Sequence, residues 1–319
     1  MALRNTTPVR FSPAGLSDTL DATEEFPGAM ASLSNLIPDP STKHLWVCRP
    51  GAISRGNTAG SKFVSACIVV GDRVYGMVGS NTNAGKDEPF CFNLLTNSLL
   101  SISGIVLGNS PTSLATTGDW VPPSMDVVGT KIMVAHQGFI GSGDYIGWID
   151  ISNPAALTWS AGNTSGNALA YPPTAVKQFG NRAYYAVNPP SGSPSLVYSD
   201  VLVPTNITNS SQALQFGDNV PITALGALPL SSQLSGIIQA LIVFKGASNM
   251  WQVTGDAALN NLSQNSLSVA TGTLAPNTIC PTTQGLAFMS PDGVRYINFQ
   301  GVVSDPVGVS GDGVTVPFV

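Results

Sequence analysis

The sequence predicts an all-β protein: a β-propeller of about five to six blades, preceded by an extended N-terminal arm. Three observations predict it. One phrase recurs, as Val70-Gly71-Asp72-Arg73-Val74-Tyr75, Val128-Gly129-Thr130-Lys131-Ile132-Met133 and Phe179-Gly180-Asn181-Arg182-Ala183-Tyr184. Chemically it is a tight turn feeding a strand: Gly beside Asp, Thr or Asn takes turn dihedrals, and the residues after it alternate in and out of a sheet. The glycines stand at 71, 129 and 180, so the phrase returns after 58 and then 51 residues. That is the period of a blade, a small sheet that buries both faces only by stacking on neighbours around an axis. Three unrelated hairpins of a sandwich are the plainer alternative. The third observation is composition. With 33 Gly, 24 Pro and only 10% charged residues, the chain suits many short strands joined by turns, and a helical protein would need far more Glu, Lys and Ala.

Residues 1–60 stand outside the repeat and read as the arm. Pro8, Pro13, Pro27, Pro38, Pro40 and Pro50 interrupt any regular element. A disordered tail is the alternative, weakened by Leu33, Leu36, Ile37, Leu45 and Trp46, which a free tail would leave in water. Residues 61–319 are assigned to the propeller. Its first unit has strands at Phe63–Val70, Arg73–Val78, Phe90–Leu95 and Leu99–Ile105. The second has Met125–Val128, Lys131–His136, Tyr145–Ile151 and Leu157–Ser160; the third has Ala175–Phe179, Arg182–Val187 and Leu196–Tyr198, then the polar run Asn206–Gln212. A fourth is built on Ile237–Phe244 and Met250–Val253, and the fifth on Gly285–Met289 and Val294–Phe299 around Asp292-Gly293. Gly301–Val319 is the candidate for a strand that closes the ring.

Charge and motifs exclude several functions. A net charge of −5 argues against a binder that works by neutralising phosphate, and so few charges point to surface covered by other subunits. The start of the chain carries no apolar core of a secretory signal, and no apolar run is long enough to span a bilayer. Cys48, Cys67, Cys91 and Cys280 show no paired spacing and read as free thiols, with Cys67 as a small buried hydrophobe. His44 and His136, the only histidines, lack a nucleophile elbow and read as structural. His44 with Cys48 has ligand spacing but no second pair. Ser80 to Asp87 resembles a phosphate loop but lacks its first Gly and its final Ser or Thr, so it reads as a surface turn. Asp119, Asp126, Asp144 and Asp150 are candidate carboxylates for glycoside hydrolysis, and Trp120, Tyr145, Trp148 and Trp159 candidates for stacking on sugars or bases. Most fit turn, strand-end and blade-packing roles. The reading therefore assigns no catalytic, cofactor-binding or metal-ligating residue, no cofactor, and no enzymatic turnover.

The order of parts resembles tail nozzle (tail hub) proteins of short-tailed bacteriophages, including the packaged-DNA stabilisation type. The likeness is carried by Asn35-Leu36-Ile37-Pro38 leading to Cys48-Arg49-Pro50-Gly51, by Val69 to Tyr75, by Phe244 to Gly255, and by Cys280 to Phe288 with Ser290 to Ile297. It spans roughly residues 30–308, and many such proteins continue well past this length. The resemblance implies a virion structural protein: a homo-oligomeric, hexameric ring below the portal and tail adaptor. Such a ring contacts tail fibre or spike proteins and guides double-stranded DNA through a neutral or acidic lumen, without sequence-specific binding or membrane insertion. A propeller lectin or glycosidase acting on host surface glycan, and a partner-binding propeller scaffold, are the alternatives.

Overall fold

The structure is a computed structural model that describes residues 9–10, 36–38, 45–48, 62–80, 86–105, 110–111, 122–139, 143–232, 236–282 and 285–306. The chain divides into two compact units, Met1–Ser54 with Val307–Val319, and Arg55–Pro306. The sequence predicts a boundary at 60/61 instead and gives all later residues to the propeller. In the first unit β1 (Val9–Arg10), β2 (Leu36–Pro38) and β3 (Leu45–Cys48) form an antiparallel sheet in the order β1-β3-β2. Pro38 ends an edge strand, where a missing N–H interrupts no ladder. His44 and Leu33 lie outside the described residues, as does the proposed closing segment beyond Pro306.

The second unit is a five-bladed β-propeller, with no α-helix among the described residues. The first blade is β4 (Lys62–Val70), β5 (Arg73–Ser80), β6 (Glu88–Asn93) and β7 (Ser98–Leu100), in that order. β8 (Ile102–Ser103) then leaves it and pairs in parallel with the outer strand of the second blade, β9 (Ser124–Val128), β10 (Lys131–Ala135), β11 (Ile146–Asp150) and β12 (Leu157–Gly162). In the same manner β13 (Ser165–Gly166) pairs with β17 (Asn206–Ile207) beside the third blade. That blade is β14 (Ala175–Phe179), β15 (Arg182–Val187), β16 (Ser195–Tyr198) and β18 (Ala213–Gln215). The fourth is β19 (Ile222–Ser232), β20 (Gly236–Lys245), β21 (Asn249–Thr254) and β22 (Ser263–Ser268). The fifth has β23 (Cys280–Thr282), β24 (Gly285–Ser290) and β25 (Gly293–Asn298), with Val303 bridging Ile297 at its outer edge.

The repeated phrase does what its chemistry requires. Gly71 and Gly129 alone take positive φ in their turns, while Gly180 and Asn181 both do. The turn hands over to β5, β10 and β15, each the second strand of its blade and each lined on both faces by buried side chains. Four apolar clusters follow, one between each consecutive pair of blades. Tyr75, Met77 and Cys91 meet Ile132, Val134 and Trp159; Val128 and Met133 meet Val176 and Tyr185. Phe179, Tyr184 and Leu196 meet Leu225, Leu241 and Val243; Ile242 and Phe244 meet Leu286, Phe288 and Ile297.

Four expectations need correction. Ile102–Ser103 does not continue the outer strand of the first blade but joins the second. The outer strand of the third blade is Ala213–Gln215, whereas Asn206–Ile207 pairs with β13. The inner strand of the fourth blade is the long β19, which Pro229 and its Gly and Ala residues disguise as a loop. Cys67 is exposed rather than buried, because strand alternation sets it on the face opposite Ile68 and the cluster shared with the second blade.

Candidate functional site

The innermost strands of the blades surround an axial cavity of about 440 Å³. Its wall takes Ala66 and Cys67 from β4, Ser124 and Met125 from β9, Val176 and Lys177 from β14, and Leu225 to Ala227 from β19; Asn277, Ile279 and Pro281 come from the approach to and start of the fifth blade. A second cavity of about 310 Å³ adjoins it, sharing Ser124, Leu225, Pro276 and Asn277 and adding Gln137, Thr174, Asn188 and Thr223. The larger volume lies in the range of small-ligand pockets.

Most polar groups at the axis bind neighbouring blades together. Ser124 Oγ accepts from Val176 N–H at 3.1 Å. Asp126 Oδ2 accepts from Gln178 N–H at 2.7 Å and pairs with Lys177 Nζ at 3.0 Å. Asn188 donates to the Ile222 carbonyl at 2.8 Å and accepts from Ile222 N–H at 2.8 Å, and Thr223 Oγ1 donates to the Thr273 carbonyl at 2.6 Å. Lys177 is the one charged side chain among the described residues that line either cavity. An ammonium carries three N–H donors, and the ion pair with Asp126 occupies one of them. Asn277, on the approach to the fifth blade, lines both cavities, and its amide carries both a donor and an acceptor.

The carboxylates named from the sequence do not converge here. Asp126 sits at the junction of the second and third blades, tied to Lys177 and Gln178. Asp150 ends β11 and pairs with Lys131 at 2.9 Å; hydrogen bonds from Ser152 and then from Lys131 lower its pKa to about 2. Asp144 precedes β11, and Asp119 lies outside the described residues. Two facing carboxylates, the apparatus of most glycoside hydrolases, are therefore not assembled among the described lining residues. Trp159 is buried between the first two blades, while Tyr145 and Trp148 pack against the cluster between the second and third. Trp120 lies outside the described residues. His136 is buried at the end of β10, where Nδ1 accepts from Gly138 N–H at 2.7 Å. The reading of Ser80 to Asp87 as a surface turn fails at its end: Asp87 is buried and accepts from Ser65 Oγ at 3.1 Å. Lys177, the charged group at the axis, was missed. Its only signal was a Lys-Gln pair interrupting the apolar strand Ala175–Phe179.

Among the described residues no group of His, Cys, Asp or Glu is arranged to hold a metal, and no helix is long and apolar enough to cross a membrane. No protein-family model and no curated protein matches the chain. Solved structures do. A candidate 6-phosphogluconolactonase of Bacteroides uniformis is 14% identical at a TM-score of 0.43, over 78% of this chain and 70% of its own. The GH43B protein of the Bacteroides ovatus xyloglucan PUL is 14% identical at 0.38, over 79% of this chain and 53%, about half, of its own. The computationally designed protein Ika8 is 11% identical at 0.31, over 77% of this chain and 87% of its own.

These likenesses are distant and assign no chemistry. Two of the three carry enzyme designations, and the expectation that no turnover exists is corrected, because it rested on missing linear motifs. The physical reason lies in the fold. A propeller gathers functional groups from separate blades, some fifty residues apart, so missing linear motifs exclude nothing about its axis.

Proposed function

We propose that this propeller binds a hydroxyl-rich ligand, a glycan or glycan fragment, in its axial cavity. One observation carries the reading: Lys177, with three N–H donors of which one bonds Asp126, and Asn277, whose amide carries both a donor and an acceptor, line the same cavity. Donors and acceptors set in an otherwise uncharged pocket match vicinal hydroxyls, which need both. The test is calorimetry with a panel of mono- and oligosaccharides, with release of reducing ends followed in the same samples so that hydrolysis is read too. Wild type is expected to bind at least one member, and Lys177→Met to weaken it about tenfold, a loss of ~1.4 kcal/mol. Lys131→Met, which breaks an ion pair away from the axis, leaves binding unchanged. Absence of binding across the panel overturns the reading.

A specific observation favours a second reading. Leu94, Leu95 and Leu99 are exposed together around the turn from β6 to β7, with Leu95 79% exposed. Contiguous apolar surface of this kind marks a protein–protein contact. In this reading the chain is a subunit of a homo-oligomeric ring, the hexameric tail nozzle of a short-tailed phage virion, which joins adaptor and portal to fibre or spike proteins around passing DNA. Mass measurement at micromolar concentration separates the readings: a discrete oligomer supports the ring, and a monomer removes it.

A further inference from the structure

We infer that the junction between the fifth and first blades is a lateral gate into the axial cavity, the place where the ring opens. The inference goes beyond ligand binding and holds whatever the cavity takes. It rests on the two sheet faces that meet there. On the first blade, cross-strand pairing sets Val69, Val74, Phe92 and Leu99 in one row, facing away from the cluster shared with the second blade. Val69 and Leu99 are each 61% exposed and Val64 and Cys67 on the same face are exposed too, whereas Val78 and Phe92 between them are buried. On the fifth blade, Ala287 pairs with Cys280 and Tyr296, and Met289 with Val294, on the face opposite Leu286 and Phe288. Met289, Val294 and Cys280 are exposed.

Each of the other four junctions holds a buried apolar cluster. Among the described residues none joins the fifth blade to the first. Strand exchange does not close the ring either: the described strands of the first blade all come from residues 62–100 and those of the fifth from residues 280–298. The outer edge of β25 is met instead by its own continuation, with Asn298 N–H donating to the Val302 carbonyl and Ser304 N–H to the Tyr296 carbonyl. The two faces thus carry complementary apolar side chains that remain partly in water. Burial favours closing them, and among the described residues no interlocked element holds them shut. Cys67 on one side and Pro281 on the other also line the axial cavity, so parting the faces opens that cavity sideways.

Hydrogen exchange on the full chain tests this. Amides of the inner strands β4 and β23 are expected to exchange about tenfold faster than those of the inner strands β9 and β14, because they open in a smaller, local event. Cys67 and Cys280 lie on opposite sides of the gate, whereas Cys91 is buried between the first two blades. A short bismaleimide, applied to a Cys48→Ser variant, is expected to link Cys67 to Cys280 within one chain and bring β4 and β23 within about threefold of β9 and β14. The same reagent on a Cys48→Ser, Cys67→Ser variant should leave exchange fast. If Cys48→Ser folds poorly, peptide mapping of the unsubstituted chain identifies the same link. Equal exchange at all inner strands overturns the gate. So does failure of the intramolecular link, or a link that leaves exchange unchanged.

Discussion

The junction between the third and fourth blades and the junction between the fifth and first use the same kind of surface to opposite effect. At the former, Phe179, Tyr184, Leu196, Leu241 and Val243 are buried together, and Asn188 and Thr174 bond across to Ile222. At the latter, Val69, Leu99, Met289 and Val294 are no less apolar yet remain exposed. Apolar sequence is therefore not sufficient for a closed junction. What distinguishes the first is that consecutive blades share a covalent connection, and side chains of one blade bond to the start of the next inner strand at Ile222. The difference teaches that this ring is a chain of four strong joints with one weak one.

Removing a core aromatic ring at a strong joint should have the largest effect. Phe244, fully buried and 5.1 Å from Phe288 between ring centroids, lies where the fourth and fifth blades meet. Phe244→Ala is expected to cost about 3–5 kcal/mol, read from the urea midpoint. A loss below about 1 kcal/mol would show that this joint is no stronger than the seam.

Overpacking comes next. A Cβ at Gly147 would run into the ring of Trp159, which fills the joint between the first two blades. Gly147→Ala should cost about 1–3 kcal/mol. Of similar size is Asp126→Ala, which removes the acceptor of the Gln178 N–H and the partner of Lys177 between the second and third blades; an orphaned donor there costs about 1–3 kcal/mol. Thermal melts of both variants should fall below wild type, and parity in either would mean that joint yields without cost.

How much of this was legible depended on the range over which each feature is encoded. The turn at Gly71, the turn at Gly180 and the Asp292-Gly293 hairpin are local, and local chemistry specified them. The inner strand β19 was not, because Gly226 and Pro229 look like breakers until one sees that Gly226 gives room to Leu286 of the next blade. The parallel strands β8 and β13 were hidden because each is two residues long and pairs with a blade to which it does not belong. Cys67 was misread because the run Ala66–Val70 is apolar on both faces, so alternation gives no sign of which face is covered. At the axis, Lys177 and Asn277 come from segments far apart in the chain, and nothing in linear order brings them to one cavity.

Acid sharpens the comparison at the second blade. Hydrogen bonds from Ser152 and then from Lys131 hold the Asp150 carboxyl at about 2, below its ordinary value of 3.8. A carboxyl lowered on folding stabilises the fold at pH above its unfolded value, and that contribution drains away as pH falls through the folded one. Wild type should therefore lose its advantage over Asp150→Asn between about pH 4 and pH 2. Urea midpoints of the two proteins that stay parallel across this window would remove Asp150 from the account.

The smallest expected effect discriminates most sharply, because it asks whether the seam is shut. Exchanging Val for Thr keeps shape and replaces a methyl group by a hydroxyl, so its cost depends on whether water already reaches the site. At Val243, fully buried between the third and fourth blades, the hydroxyl must leave water, and Val243→Thr should cost about 1–3 kcal/mol. At Val69, in the exposed row of the first blade, and at Val294, exposed on the fifth, the hydroxyl stays hydrated. Val69→Thr and Val294→Thr should each change stability by no more than about 0.5 kcal/mol. If either costs as much as Val243→Thr, the faces are pressed together in solution and the ring has five equal joints. If both stay neutral while Val243→Thr does not, the apolar residues of the seam contribute little to folding. Their place on two apposed faces beside a cavity is then a matter of opening and closing.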